Sequence, residues 1–267
     1  MDNSGPGPAR PAEVPAEVPA RVPAEGTAQA LPAEVAEIVG ELAEAPSPSR
    51  RRRVTARIPR LARRSGRATW FGVQFGSRWL AAEVLAMAPR LPVRDQQTLR
   101  AQFPGLSPDE LADALIQGSA RAAGAVGAAA GAAMVLPLPA APVEVAIETL
   151  ALVGIEIKLV AELHEVYGRR APGSTAERMV SYVAAWAHRR GVGLAPGGLV
   201  LAVGSPLRRR LQRRLLARAG RSATSLGPLL TGAVAGAALN RRETRRLGTD
   251  VRDDLRRSSP QTARWPG

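Results

Sequence analysis

Apolar positions recur at helical spacing along most of this chain, and two stretches stand apart because their apolar residues are nearly all small. Gly118–Pro142 and Ser222–Asn240 are rich in alanine and glycine, and each carries a Gly-x-x-x-Gly spacing, at Gly127/Gly131 and Gly232/Gly236. In a helix such residues fall on one stripe and let a neighbouring backbone approach closely. Gly124, Gly127, Gly131, Gly232 and Gly236 are therefore the candidate helix-packing residues. Ser107-Pro108-Asp109-Glu110 has the form of a capping box with proline in the first turn, which predicts a helix from Pro108 to about Val135, closed by Pro137, Pro139 and Pro142.

A second helix is predicted over Val143–Tyr167. Wound at 100° per residue, it gathers Glu144, Glu148, Lys158, Glu162 and Glu165 on one side and Leu150, Val153, Ile157 and Val160 on the other. The expectation is a solvated charged stripe and a helical hairpin over Gly118–Tyr167. Ser174 and Glu177 form another capping box, opening a helix in which Met179, Tyr182, Val183 and Trp186 share a face and which stops at His188-Arg-Arg-Gly191. Ala68–Ala88 reads as an amphipathic helix bearing Trp70, Val73, Leu80, Val84 and Met87. Gly191–Pro206 reads as a glycine-rich loop or short helix, Pro206–Arg221 as a basic helix, and Arg241–Arg257 as a polar terminal helix. No strand pattern competes with these. The predicted fold is all-α, a helical bundle with closely packed Gly/Ala-rich helices.

The first 49 residues repeat Pro-Ala-Glu-Val, and proline every fourth residue removes helical donors while small side chains build no core. The expected organisation is a disordered tail over 1–49, a basic linker over 50–67, a helical domain over 68–257 and a disordered tail over 258–267. Within the first segment, Leu31–Ala45 has the pattern of a short acidic helix whose charge suits the basic block that follows. The acidic, proline-rich start is unlike a secretory signal, so the expected location is the cytoplasm or the cytoplasmic side of a membrane.

Charge is distributed in blocks. Residues 50–100 hold thirteen basic and two acidic side chains (+11), and residues 206–267 hold fifteen and four (+11), within a chain whose net charge is +14. Arg50, Arg51, Arg52, Arg53, Arg208, Arg209, Arg210, Arg213 and Arg214 are the candidate anion-surface residues, suited to anionic headgroups. Two other readings follow the same patterns: a nonspecific nucleic-acid binder using the arginine blocks, and a soluble interaction module or self-associating protein using the small-residue helices. No DNA- or RNA-binding motif accompanies the arginines. The uncharged runs Ala122–Val143, Gly191–Leu207 and Ser222–Asn240 approach the length of a membrane span, but are poor in strongly inserting residues.

The segments "VLPLPAAPVEVAIETLALVGIEIKLVAELHEVYG" (Val135–Gly168) and "GPLLTGAVAGAALNRRETRRLG" (Gly227–Gly248) resemble the EcsC family of bacterial proteins. The shared features are a Gly/Ala helix running into a proline turn, a helix closing on Tyr167-Gly168, and a late Gly-x-x-x-Gly helix followed by Asn240, Thr244 and Gly248. The resemblance covers roughly Pro108–Leu255. It implies an all-helical, membrane-associated protein, in some cases linked to transporter operons, and supplies no catalytic residues.

Catalytic chemistry is not legible. His164 sits on the apolar side of its helix as a hydrogen-bonded core histidine, and His188 sits in a last helical turn, each without metal partners at ligand spacing. With no cysteine there is no thiolate site. Gly191-Val-Gly193 lacks the strand and third glycine of a dinucleotide loop, and Ser119, Ser181 and Ser225 lack triad context. Glu144 and Glu148 belong to the charged stripe, whereas Glu156 lies off it and is the carboxylate of greatest interest. The expectation is no enzyme activity, no cofactor and no metal.

Overall fold

The helical periodicities translate into an all-α bundle in a computed structural model, which describes residues 25–74, 77–132, 141–195, 198–201 and 227–258. In chain order the helices are α1 (Glu25–Glu44), α2 (Pro48–Thr55), α3 (Arg57–Gln74), α4 (Ser77–Met87), α5 (Gln96–Gln102), α6 (Pro108–Ala132), α7 (Ala141–Val166), α8 (Thr175–Arg189) and α9 (Gly227–Ser258). Both predicted capping boxes form. Ser107 Oγ accepts from the Glu110 amide at 3.4 Å while the Glu110 carboxylate accepts from the Ser107 amide at 2.9 Å, and Ser174 and Glu177 repeat the exchange.

The centre of the bundle is α7, enclosed by α1, α3, α4, α6, α8 and α9. Its apolar residues, among them Ile147, Leu150, Ile157 and Val160, are buried, and each such side chain contributes about 1.5–3 kcal/mol of transfer free energy. The predicted solvated stripe is wrong. Glu144, Glu148, Lys158, Glu162 and Glu165 are all buried, between 1% and 7% exposed. The wheel finds the stripe correctly, but at Glu162 and Glu165 cations from α7 itself and from the segments flanking it in space meet the carboxylates. Arg94 donates to both oxygens of Glu162 at 2.8 Å, Lys158 also donates to Glu162, and Arg170 donates to both oxygens of Glu165 at 2.7 Å.

The N-terminal boundary is also corrected. Beyond the last proline of the repeat pattern at Pro32, Val35, Ile38, Val39 and Leu42 fall on one helical face, and α1 buries that face in the core. Its opposite face carries Glu34, Glu37 and Glu41. The expected acid–base clasp is present: Arg57 bridges Glu37 and Glu41, and Arg64 pairs with Glu34 at 2.8 Å. Residues 25–49 are therefore part of the folded unit, and residues 1–24 and 259–267 of the predicted tails lie outside the described residues. The predicted linker over 50–67 is likewise helical, spanning α2 and the start of α3, with Val54, Ile58, Leu61 and Ala62 buried.

Three smaller differences follow. The helix expected over 68–88 is described as the end of α3 and the whole of α4. The segment read as a loop or short helix contains an antiparallel ribbon, β1 (Val192–Ala195) and β2 (Gly198–Leu201), registered from Val192 opposite Leu201 to Ala195 opposite Gly198. The small-residue and terminal helices expected on either side of Asn240 are one continuous helix, α9, because nothing between Leu239 and Thr244 breaks a helix. Among the described residues no helix is long and apolar enough to cross a membrane.

Candidate anion-binding groove

The stripe of α9 that faces the bundle steps by four residues, through Gly236, Asn240, Thr244 and Gly248. A Cβ placed on Gly127 of α6 would lie 2.5 Å from the Gly236 carbonyl oxygen, and one on Gly236 would lie 3.0 Å from the Gly127 carbonyl oxygen, so the two backbones touch there. One turn on, fully buried Asn240 donates through Nδ2 to the Ala123 carbonyl oxygen at 3.2 Å. A further turn brings Thr244 Oγ1 within 3.1 Å of Glu156 Oε1 on α7. Gly248 then packs against Ile116 and Leu159, 2.7 and 3.0 Å from where its Cβ would be. Gly127 and Gly236 thus act as predicted. Gly131 and Gly232 lie further along the same helices, and their surroundings fall outside the described residues.

Glu156, off the stripe, is buried, and its chemistry is fully committed. It accepts from Trp186 Nε1 at 2.9 Å, from Arg190 Nε at 2.9 Å, from Arg190 Nη2, and from Thr244. Four donors occupy the roughly four lone-pair positions a carboxylate offers, leaving none to take a substrate proton. The group ties α7, α8 and α9 together. His164 is likewise structural: Nδ1 lies 2.8 Å from the Val160 carbonyl oxygen and so carries the proton, and the ring centroid is 5.0 Å from that of Tyr182. Burial first, and then Arg189 and Arg169, lower its pKa against the opposing effect of the hydrogen bond. Exposed His188 borders a small cleft in which Asp254 is paired with Arg189 and Arg257. Among the described residues no group of three or more histidine and carboxylate side chains is arranged to hold a metal.

Uncompensated charge gathers elsewhere, on the outer side of the α6–α9 contact. There α2 packs on α6, its start capped by Ser47 and its Arg51 donating to the Ala45 carbonyl oxygen. A groove of about 890 Å³ opens between α2, α6 and α9. Five arginines border it: Arg51 and Arg52 from α2, Arg121 from α6, and Arg241 and Arg245 from α9. Among the described residues none that lines it is acidic, and the floor is made by Ala56, Pro59, Gly124, Ala125, Ala128, Ala129 and Ala237. None of the five arginines has a carboxylate partner among the described residues. Burial, and then the positive charges of Arg121 and Arg241, push Arg51 below the usual guanidinium value.

Gly124 has a specific part in this arrangement. The Arg241 Nε lies 3.1 Å from the point a Cβ on Gly124 would occupy, with the Ala237 carbonyl oxygen at 3.4 Å. Its missing side chain makes the seat of a guanidinium as well as a helix contact.

Of the predicted anion-binding residues, the structure places Arg51 and Arg52 in the groove and leaves Arg50 and Arg53 exposed on the outer side of α2. Arg208, Arg209, Arg210, Arg213 and Arg214 lie outside the described residues. Arg121, Arg241 and Arg245 were missed. Arg121 is a single charge within a small-residue stretch, and Arg241 begins a segment read for its polarity alone. The available signal was spacing: Arg241 and Arg245 stand one turn apart, and Arg241 directly follows the Asn240 that faces α6. Comparison of the chain with protein-family models, with curated proteins and with solved structures returns no match.

Proposed function

We propose that this chain is a membrane-associated helical module of the EcsC type that docks peripherally on anionic lipid surfaces through the α2–α6–α9 groove. Its role on this reading is structural or accessory, of the transporter-linked kind the resemblance implies, and not catalytic. The observation that carries it is the convergence of five arginines from three helices on an apolar-floored groove with no lining carboxylate among the described residues. Guanidinium groups near an anionic leaflet each add about 1 kcal/mol of attraction, and the alanine floor suits the apolar edge of that surface. The EcsC part is supported by the residues that suggested it, since Gly236, Asn240, Thr244 and Gly248 form the single stripe on which α9 is seated.

The groove favours lipid over nucleic acid. Single-strand binders stack bases on aromatic rings along a charged track, and no aromatic residue among the described ones lines this groove. Vesicle flotation of the full chain provides the test. It should float with anionic vesicles at low ionic strength, be released by salt, and ignore neutral vesicles. A chain that floats with neither, whether or not it binds duplex DNA, would rule the reading out.

A further inference from the structure

A diffuse basic face attracts any anionic surface, whereas this groove is concave and its charge is organised. Arg51 is fixed by its bond to the Ala45 carbonyl oxygen, Arg121 Nη2 donates to Gln117 Oε1 at 3.2 Å, and Arg241 rests over Gly124. Each guanidinium has five N–H donors, so each keeps donors to spare. Like charges held this close in the absence of carboxylates leave a site that an anion of more than one charge relieves best. Beside them the alanine floor offers apolar surface that a bare inorganic ion would leave uncovered. The groove volume, about 890 Å³, is within the range of sites that enclose a small molecule.

We infer that the groove is a binding site for one phosphomonoester lipid, its dianionic headgroup held by Arg51, Arg121 and Arg241 and its acyl chain laid along the Ala125–Ala128–Ala129 floor. This rests on the surface-docking reading and adds to it a preferred lipid class. Zwitterionic heads are disfavoured because their cation meets the arginines, and singly charged diester heads leave part of the site's charge unmatched. Gly124 favours this arrangement because a Cβ there would lie 3.1 Å from Arg241 Nε and crowd the guanidinium.

The test compares phosphatidylcholine vesicles carrying phosphatidic acid with vesicles carrying phosphatidylglycerol at matched surface charge. The full chain is set beside an Arg121→Gln/Arg241→Gln pair in the groove, an Arg50→Gln/Arg53→Gln pair of equal charge outside it, and Ala128→Phe on the floor. Circular-dichroism melts establish that each variant is folded. The groove pair is expected to lose about thirtyfold in affinity for the phosphatidic acid vesicles, and the outer pair no more than about threefold. Ala128→Phe should weaken phosphatidic acid binding without any change of charge. Soluble lysophosphatidic acid should displace the protein from vesicles at concentrations where inorganic phosphate does not. Equal affinity for the two vesicles, or displacement by phosphate alone, would overturn the inference while leaving docking through the groove intact, whereas equal losses in the two arginine pairs would overturn both. Failure to bind either vesicle would remove both.

Discussion

Gly127 and Gly236 meet backbone to backbone, and a single methyl group on Gly127 would sit 2.5 Å from the Gly236 carbonyl oxygen. The obstruction is main chain, so no side-chain rotation relieves it. Gly127→Leu is expected to lower stability by at least about 1–3 kcal/mol, read as a fall in thermal midpoint. Gly118, on the same helix, has nothing within 4 Å of its Cβ position. Gly118→Ala should be neutral or stabilising by up to about 1 kcal/mol. Similar responses at both positions would refute close packing as the reason for the glycine at 127.

Thr244, Trp186 and Arg190 converge on Glu156. Glu156→Ala leaves the partly buried Arg190 with only the more distant Glu243 carboxylate, at 3.6 Å, and should cost about 3 kcal/mol. Thr244→Val removes one donor of four and should cost about 1–2 kcal/mol. Chemical denaturation of the two variants orders them, and equal losses would show that the carboxylate is not the hub.

If α1 belongs to the core, its buried face must matter to global stability. Ile38→Ala and Leu42→Ala, at positions 1% exposed, should each cost about 2–5 kcal/mol. Unchanged melting would return this segment to the disordered tail that its proline repeats suggested.

A buried and a half-buried carboxylate give opposite pH dependences. Burial alone would raise the pKa of Glu162, but the bonds and charges of Arg94 and Lys158 hold it below the ordinary 4.5. Its stabilising contribution is complete above that value and is lost as pH falls through the lower, folded-state pKa. Glu83 is pushed up to about 7 by burial, against a weaker opposing bond from Trp79, and its Oε2 has no partner among the described residues. Its folded-state pKa lies above the unfolded one, so stability falls as pH rises from 4.5 to about 7. Glu83→Gln should therefore stabilise the protein above that window and have little effect below it, measured as thermal midpoints across pH.

Local signals in the sequence were reliable where they depended on backbone chemistry. Ser107 and Ser174 capped the helices they predicted, and the glycine spacing located one true backbone contact. The chain misled where charge was judged on one helix at a time. Glu162 on its own wheel looks solvated, and Arg94, sixty-eight residues away, joins Lys158 in making it a core residue. The groove escaped notice for the same reason. Arg51, Arg121 and Arg241 are distant in sequence, and the crossing of α2, α6 and α9 brings them to one place. Pro-Ala-Glu-Val repeats also concealed α1, since the periodic apolar face begins only where the prolines end.

The central claim is that anionic lipid is bound through the groove, and charge reversal at Arg241 tests it most directly. Arg241→Glu places a carboxylate among the groove arginines, whereas Arg256→Glu makes the same change on α9 outside the groove, beside Asp109. The account predicts that vesicle flotation is abolished by the first and largely kept by the second. Flotation that survives Arg241→Glu, or falls equally in both variants, would contradict it.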